Sequence, residues 1–114
     1  MCIRDSLTPE ALHIIELANQ QQRDGYIFPG VKRGVISDAS MARLMERRGL
    51  EARPHGFRST LRVWLTESQQ ASREVAETII AHQTGSRTER AYNRTDFLEQ
   101  RRELMEAWER YLKS

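Results

Sequence analysis

The sequence predicts a mainly α fold, a compact bundle of about five helices with one further short, turn-like helix. Three observations predict it. Apolar residues recur at spacings of three and four through most of the chain, the period of a helix with one buried face. Helix-start signals such as Thr8-Pro9-Glu10 and helix-stop glycines such as Gly49 punctuate that pattern. No stretch of useful length alternates apolar and polar residues as a half-buried strand does.

With 114 residues there is room for one small domain or a piece of one. Hydrophobic residues make up 39% and charged residues 30%, a balance expected of a soluble globular chain. Sixteen arginines stand against two lysines, Lys32 and Lys113, yet the net charge is only +2. A nucleic-acid surface must therefore come from where the arginines sit and not from bulk charge. Cys2 is the single cysteine, which excludes an internal disulfide and is consistent with a reducing, cytoplasmic setting. No apolar run approaches the length of a membrane span and no signal peptide is visible, so no membrane partner is expected. There is no repeat and no low-complexity tract.

Residues 1–6 (MCIRDS) form a leader without pattern; residues 7–114 carry the organisation. The first helix starts with Thr8 as cap, Pro9 in the first helical position and Glu10 at the positive end. Leu12, Ile14, Ile15 and Ala18 mark its apolar face, which runs to about Gln22. His13 on this helix reads as a surface residue. Gly25, Pro29, Gly30 and Gly34 break up the connection that follows, and Tyr26-Ile27-Phe28 reads as a short extended piece that plugs the core. Ser37 or Asp38 caps the second helix, Met41, Leu44 and Met45 face inward, and Gly49 ends it. Arg43, Arg47 and Arg48 give that helix a basic side.

Pro54 introduces the third helix, about His55 to Glu67. At ~100° per residue, Phe57, Leu61, Trp64 and Leu65 form a core stripe, with His55, Arg58 and Arg62 along its edge. Ser72 caps a fourth helix that buries Val75, Ala76, Ile79 and Ile80. His82 lies near its C-terminal end and Gly85 is the expected left-handed cap. Ser86 and Glu89 form a capping box for the short helix that carries Tyr92. Thr95 or Asn93 starts the last helix, with Phe97, Leu98, Leu104, Met105, Trp108, Tyr111 and Leu112 as its apolar set.

The chemistry concentrates between His55 and Tyr92. The segment contains His55-x-x-Arg58, then His82-x-x-Gly85, then Tyr92 seven residues after that glycine. A guanidinium holds two phosphate oxygens at once better than any other side chain. A phenol becomes a nucleophile where its proton is removed or its charge stabilised. Tyr92 has the polar neighbours Arg90, Asn93 and Arg94, which favour an exposed hydroxyl. Two histidines without a carboxylate or cysteine at ligand spacing do not make a closed zinc set, so no metal is expected. These residues point to phosphoryl transfer to a tyrosine.

The ordered set resembles the C-terminal catalytic signature of the tyrosine recombinases, above all the integrases of prophages and integrative elements. The flanking text RPHGFRSTLRVWL and AYNRTDFLEQRRELMEAWERYL is similar too, and the resemblance runs from about Leu7 to the C-terminus. It implies the C-terminal portion of a recombinase catalytic domain, acting on double-stranded DNA attachment sites to integrate or excise a mobile element. It implies Tyr92 as nucleophile forming a 3′-phosphotyrosyl intermediate, Arg58 as the second catalytic arginine, His55 as the histidine of the box and His82 as the later phosphate-binding histidine. Arg53, Arg87 and Arg94 are the expected contacts to the DNA backbone. No cofactor is implied, since the bond energy is kept in the phosphotyrosine. The implied assembly is a homo-tetramer on DNA when full length, in a bacterial or phage setting.

The family also uses an earlier arginine and a lysine on a β-hairpin, both upstream of the first helix here. Arg4 lies in the leader and Lys32 follows that helix, so neither substitutes, and the 114-residue chain alone is expected to be inactive. A non-catalytic helical DNA-binding module is the alternative; it makes Tyr92 dispensable. A histidine phosphatase, suggested by Arg53-Pro54-His55-Gly56, fits less well: Pro54 separates Arg from His and no strand precedes them.

Overall fold

A computed structural model describes residues 6–82, 85–88 and 96–114. Among them are five α-helices: α1 (Pro9–Asn19), α2 (Ser40–Arg47), α3 (Pro54–Glu67), α4 (Arg73–Ile79) and α5 (Leu98–Lys113). Among the described residues there is no strand, only isolated antiparallel bridges between Arg23 and Tyr26 and between Pro29 and Val35. The mainly helical class expected from the sequence is the class observed. No helix is long and apolar enough to cross a membrane among the described residues.

The chain divides into two compact units, one of residues 9–57 and one of residues 58–114 with the segment up to Thr8. In the first unit, α1 begins at Pro9, whose missing N–H costs nothing at a helix start. It ends at Asn19, earlier than the periodicity predicts. The chain then reverses at Asp24-Gly25, both at positive φ (54° and 79°), while Arg23 and Tyr26 exchange backbone hydrogen bonds. Asp-Gly is the favoured pair for such a two-residue reversal. A second loop closes where the Ile36 N–H meets the Phe28 carbonyl at 3.0 Å and the Gly30 N–H meets the Gly34 carbonyl at 2.7 Å. A Cβ on Gly30 would sit 2.8 Å from two backbone oxygens, of Arg33 and Val35, so only glycine fits. The Arg23 guanidinium donates to the carbonyls of Gly30 and Val31 and ties the two turns together.

Tyr26, Ile27 and Phe28 do not plug a core. They stand in these turn-and-bridge loops with their side chains exposed. The backbone folds back on itself too tightly there to carry them inward. The N-cap of α2 is Ala39, without a side-chain cap; Ser37 instead hydrogen-bonds the Ser40 hydroxyl at 2.7 Å. Met41 and Leu44 are exposed and Met45 is half-buried, so the expected inward face of α2 is largely open. Its C-terminus is as predicted. Gly49 is left-handed (φ 70°), and the N–H groups of Gly49 and Leu50 reach back to the carbonyls of Glu46 and Met45.

The second unit holds the core: Trp64, Leu65 and Ala76, with Leu61, Ala71, Ile79, Leu104, Ala107 and Trp108 packed on it. Trp64 meets Trp108 at a centroid distance of 5.0 Å, and Tyr111 stacks on Trp108 at 5.5 Å. Such ring pairs add to the apolar area they bury. Phe57, the first member of the predicted stripe, is 60% exposed and outside this core. Ser72 caps α4 as expected, its Oγ accepting from the Val75 N–H at 3.3 Å. The helix stop is not Gly85. Gly85 is left-handed (φ 80°), but α4 ends at Ile79 and its left-handed cap is Ala81 (φ 55°). At the start of α5 the Leu98 N–H donates to Asp96 Oδ1 at 3.1 Å. The expected helix start at Thr95 or Asn93 lies outside the described residues.

Candidate functional site

α3 carries His55, Arg58 and Arg62 at spacings of three and four, which on a helix places them along one edge. The division between the two units falls within α3 after Phe57, so His55 belongs with the first unit and Arg58 with the second. His55 and Arg58 are exposed, and Arg62 is half-buried. Arg62 is the anchored member of the row. Its Nε donates to Glu77 Oε1 at 2.8 Å, and its Nη1 donates to the Thr66 hydroxyl.

Glu77 is the hub of the site. It sits in the middle of α4 with 8% of its surface exposed. One carboxylate oxygen takes the Arg62 guanidinium; the other meets Nδ1 of His82. The backbone adds a second tie, because the His82 N–H donates to the Glu77 carbonyl at 2.8 Å. That bond, with the Ala81 N–H on the Thr78 carbonyl at 3.0 Å, closes the left-handed turn that ends α4. The turn therefore fixes where His82 leaves the helix, and the Glu77 side chain fixes its ring. Hydrogen bonds from Arg62 and then His82 hold the Glu77 carboxyl below its ordinary value, outweighing burial, which pushes the other way.

Glu77 is thus ionised at neutral pH and only accepts hydrogen bonds. His82 must donate from Nδ1, which leaves Nε2 open on a side chain that is 60% exposed. The local arrangement has one buried carboxylate paired with a guanidinium and hydrogen-bonded to an imidazole. An exposed arginine, Arg58, stands one turn along α3 from that guanidinium. An exposed imidazole held by a buried carboxylate, with an exposed guanidinium on the neighbouring helix, suits an anion with several oxygens. Among the described residues no group of three or more His, Cys, Asp or Glu side chains is placed to hold a metal ion.

The remaining sequence candidates divide. Arg53 donates to the carbonyls of Leu50, Glu51 and Ala52 at 2.9–3.1 Å and pairs with Glu46 at 3.3 Å. Its guanidinium closes the α2–α3 connection. Arg87 is exposed. Tyr92, Arg94 and the Glu89 half of the capping box lie outside the described residues. Sequence reasoning missed Glu77, although a signal was there: a carboxylate beside the apolar arc of Val75, Ala76, Ile79 and Ile80. It also missed Arg101, which is 1% exposed on the buried side of α5. Its guanidinium pairs with Asp96 at 3.9 Å, and among the described residues its Nε and Nη2 have no hydrogen-bond partner.

Comparison with protein-family models, curated proteins and solved structures gives no match to this chain.

Proposed function

We propose that the chain is the tyrosine-bearing part of a tyrosine recombinase catalytic domain, which cuts and rejoins DNA through a 3′-phosphotyrosyl intermediate. The ordered set His55-x-x-Arg58, His82-x-x-Gly85 and Tyr92 carries this reading. The Glu77 contacts support it: Glu77 holds the ring of His82, a member of that set, and takes the guanidinium of Arg62, one turn along α3 from Arg58. In the proposed reaction the Tyr92 hydroxyl oxygen attacks the scissile phosphorus. The tyrosine O–P bond forms as the P–O5′ bond breaks, His55 takes the phenol proton, and the 5′-oxygen leaves and is protonated. Arg58 and His82 hold the non-bridging oxygens as charge builds on them. Rejoining reverses these steps on a new 5′-hydroxyl, and a tetramer on two attachment sites exchanges the strands.

Tyr92→Phe tests this in a protein that contains this segment with an upstream arginine and lysine. Only the hydroxyl is lost, so DNA binding should stay near normal while covalent linkage to a nicked suicide substrate disappears on a denaturing gel. A covalent adduct in the Phe variant removes Tyr92 as nucleophile. A non-catalytic helical DNA-binding module predicts no adduct in either protein.

A further inference from the structure

We propose that Glu77 is a positioning residue that sets the tautomer of His82, holding the proton on Nδ1 and leaving Nε2 to meet a phosphate oxygen. The phosphate partner rests on the function proposed above; the control of the tautomer does not. The geometry is specific. Arg62 Nε occupies Oε1 and His82 Nδ1 occupies Oε2, so the carboxylate is committed on both sides. The His82 N–H on the Glu77 carbonyl fixes the spacing of the two residues, so the ring meets the carboxylate without searching for it. In the neutral ring Nε2 is an acceptor. When the ring takes up a proton, Nδ1 still donates to Glu77 and Nε2 becomes a donor to an anionic oxygen. A carboxylate behind the imidazole is the same device that orients histidines in hydrolytic triads and metal sites. The groups that face Glu77 across these contacts are Arg62 from α3 and His82 from the turn after α4.

Glu77→Gln gives a sharp test because an amide is not symmetric. Arg62 only donates, so the amide oxygen must face Arg62. The amide NH₂ then faces His82 and donates to Nδ1, which forces the ring proton onto Nε2. Long-range ¹H–¹⁵N spectra of the ¹⁵N-histidine-labelled 114-residue chain, at a pH of about 8 where an ordinary imidazole is neutral, read the tautomer directly. His82 signals are assigned by their loss in His82→Gln. The expected result is a proton on Nδ1 in the wild type and on Nε2 in Glu77→Gln, with melting curves showing both chains folded. A side chain that merely packs would not reverse the tautomer. A wild-type His82 protonated on Nε2, or the same tautomer in both chains, overturns the proposal. The wild-type spectrum decides even if the variant fails to fold.

A second measurement links the tautomer to phosphate. With a DNA duplex bearing a 5′-bridging thio leaving group, Glu77→Gln and His82→Gln should each slow covalent trapping, and the double variant should be no slower than His82→Gln alone. Additive losses overturn the coupling. If no trapping occurs in any chain, the recombinase reading falls while the tautomer result stands on its own spectra.

Discussion

The Nε of Arg62 on α3 donates to Oε1 of Glu77 on α4 at 2.8 Å, and this part-buried charge pair joins the two helices beside the apolar core. Glu77 has its carboxyl held below the ordinary value near 4.5 by Arg62 and His82. A depressed carboxylate contributes stability that is fully present above the unfolded value and is lost as pH falls through the lower folded value. The melting temperature of the wild type should therefore fall faster than that of Glu77→Gln as pH drops below about 4.5, because the Gln variant has no charge to lose. At neutral pH the variant should be less stable by roughly 1–3 kcal/mol, the worth of hydrogen bonds to a charged group. Parallel melting curves for the two chains from pH 7 to pH 3 would show that Glu77 is not ionised in the fold.

Two helices end in the same hydrogen-bonded turn with different residues at its left-handed position. Gly49 closes α2 and Ala81 closes α4. A Cβ in this conformation costs roughly 1 kcal/mol, which glycine avoids. Ala81→Gly should raise stability by about that amount, since Ala81 is exposed and loses no packing. Gly49→Ala should lower it by a similar amount. Chemical denaturation of both variants checks the sign, and a destabilised Ala81→Gly would mean that the turn does not persist in solution.

Trp64 is buried against Trp108 and Tyr111, whereas Phe57, on the same predicted stripe two turns earlier, is 60% exposed. Trp64→Ala should cost roughly 3–5 kcal/mol. Phe57→Ala should change stability by no more than about 0.5 kcal/mol, as for a surface side chain. Thermal melts of the two variants separate them, and similar losses would put Phe57 back in the core.

The contrast between these two residues shows what the sequence carries. Periodicity identified α3 and its stripe, but it reports a direction around the helix and not what stands opposite each turn. Leu65 and Trp64 pack with residues of α4 and α5, and Phe57 belongs to the other unit. The same limit explains Met41 and Leu44, apolar at helical spacing and yet exposed. Caps with a local cause were legible: Ser72 before α4, and Gly49 after α2. Ala81 was not, because alanine in a left-handed turn breaks the rule by which such turns are recognised. Glu77 and Arg101 were hidden for a different reason. A charged residue in a helix reads as solvated until the fold supplies its partner, as Arg62 and His82 do for Glu77.

Under the proposed function, the 114-residue chain alone should not cleave ordinary DNA at a useful rate, although it contains Tyr92. Phosphoryl transfer needs charge stabilisation on the non-bridging oxygens and a proton for the departing 5′-oxygen. Arg58, His55 and His82 supply part of the first. The second has no clear source, since Lys32 follows α1 in the loop before α2 and Lys113 ends α5, where it pairs with Glu109 at 3.9 Å. Each missing preorganised donor typically costs ~10²–10³ in rate. A 5′-thio leaving group needs no proton, so a duplex bearing one bypasses the missing acid. The chain should be trapped slowly on the thio duplex and not on the ordinary one, and Tyr92→Phe should abolish the trapping. Residual DNA binding should weaken steeply with added salt, because it rests on exposed arginines such as Arg58 and Arg87 meeting phosphates. Efficient cleavage of the ordinary duplex would place the proton donor within these 114 residues, and substituting His55, Lys32 and Lys113 in turn would then identify it.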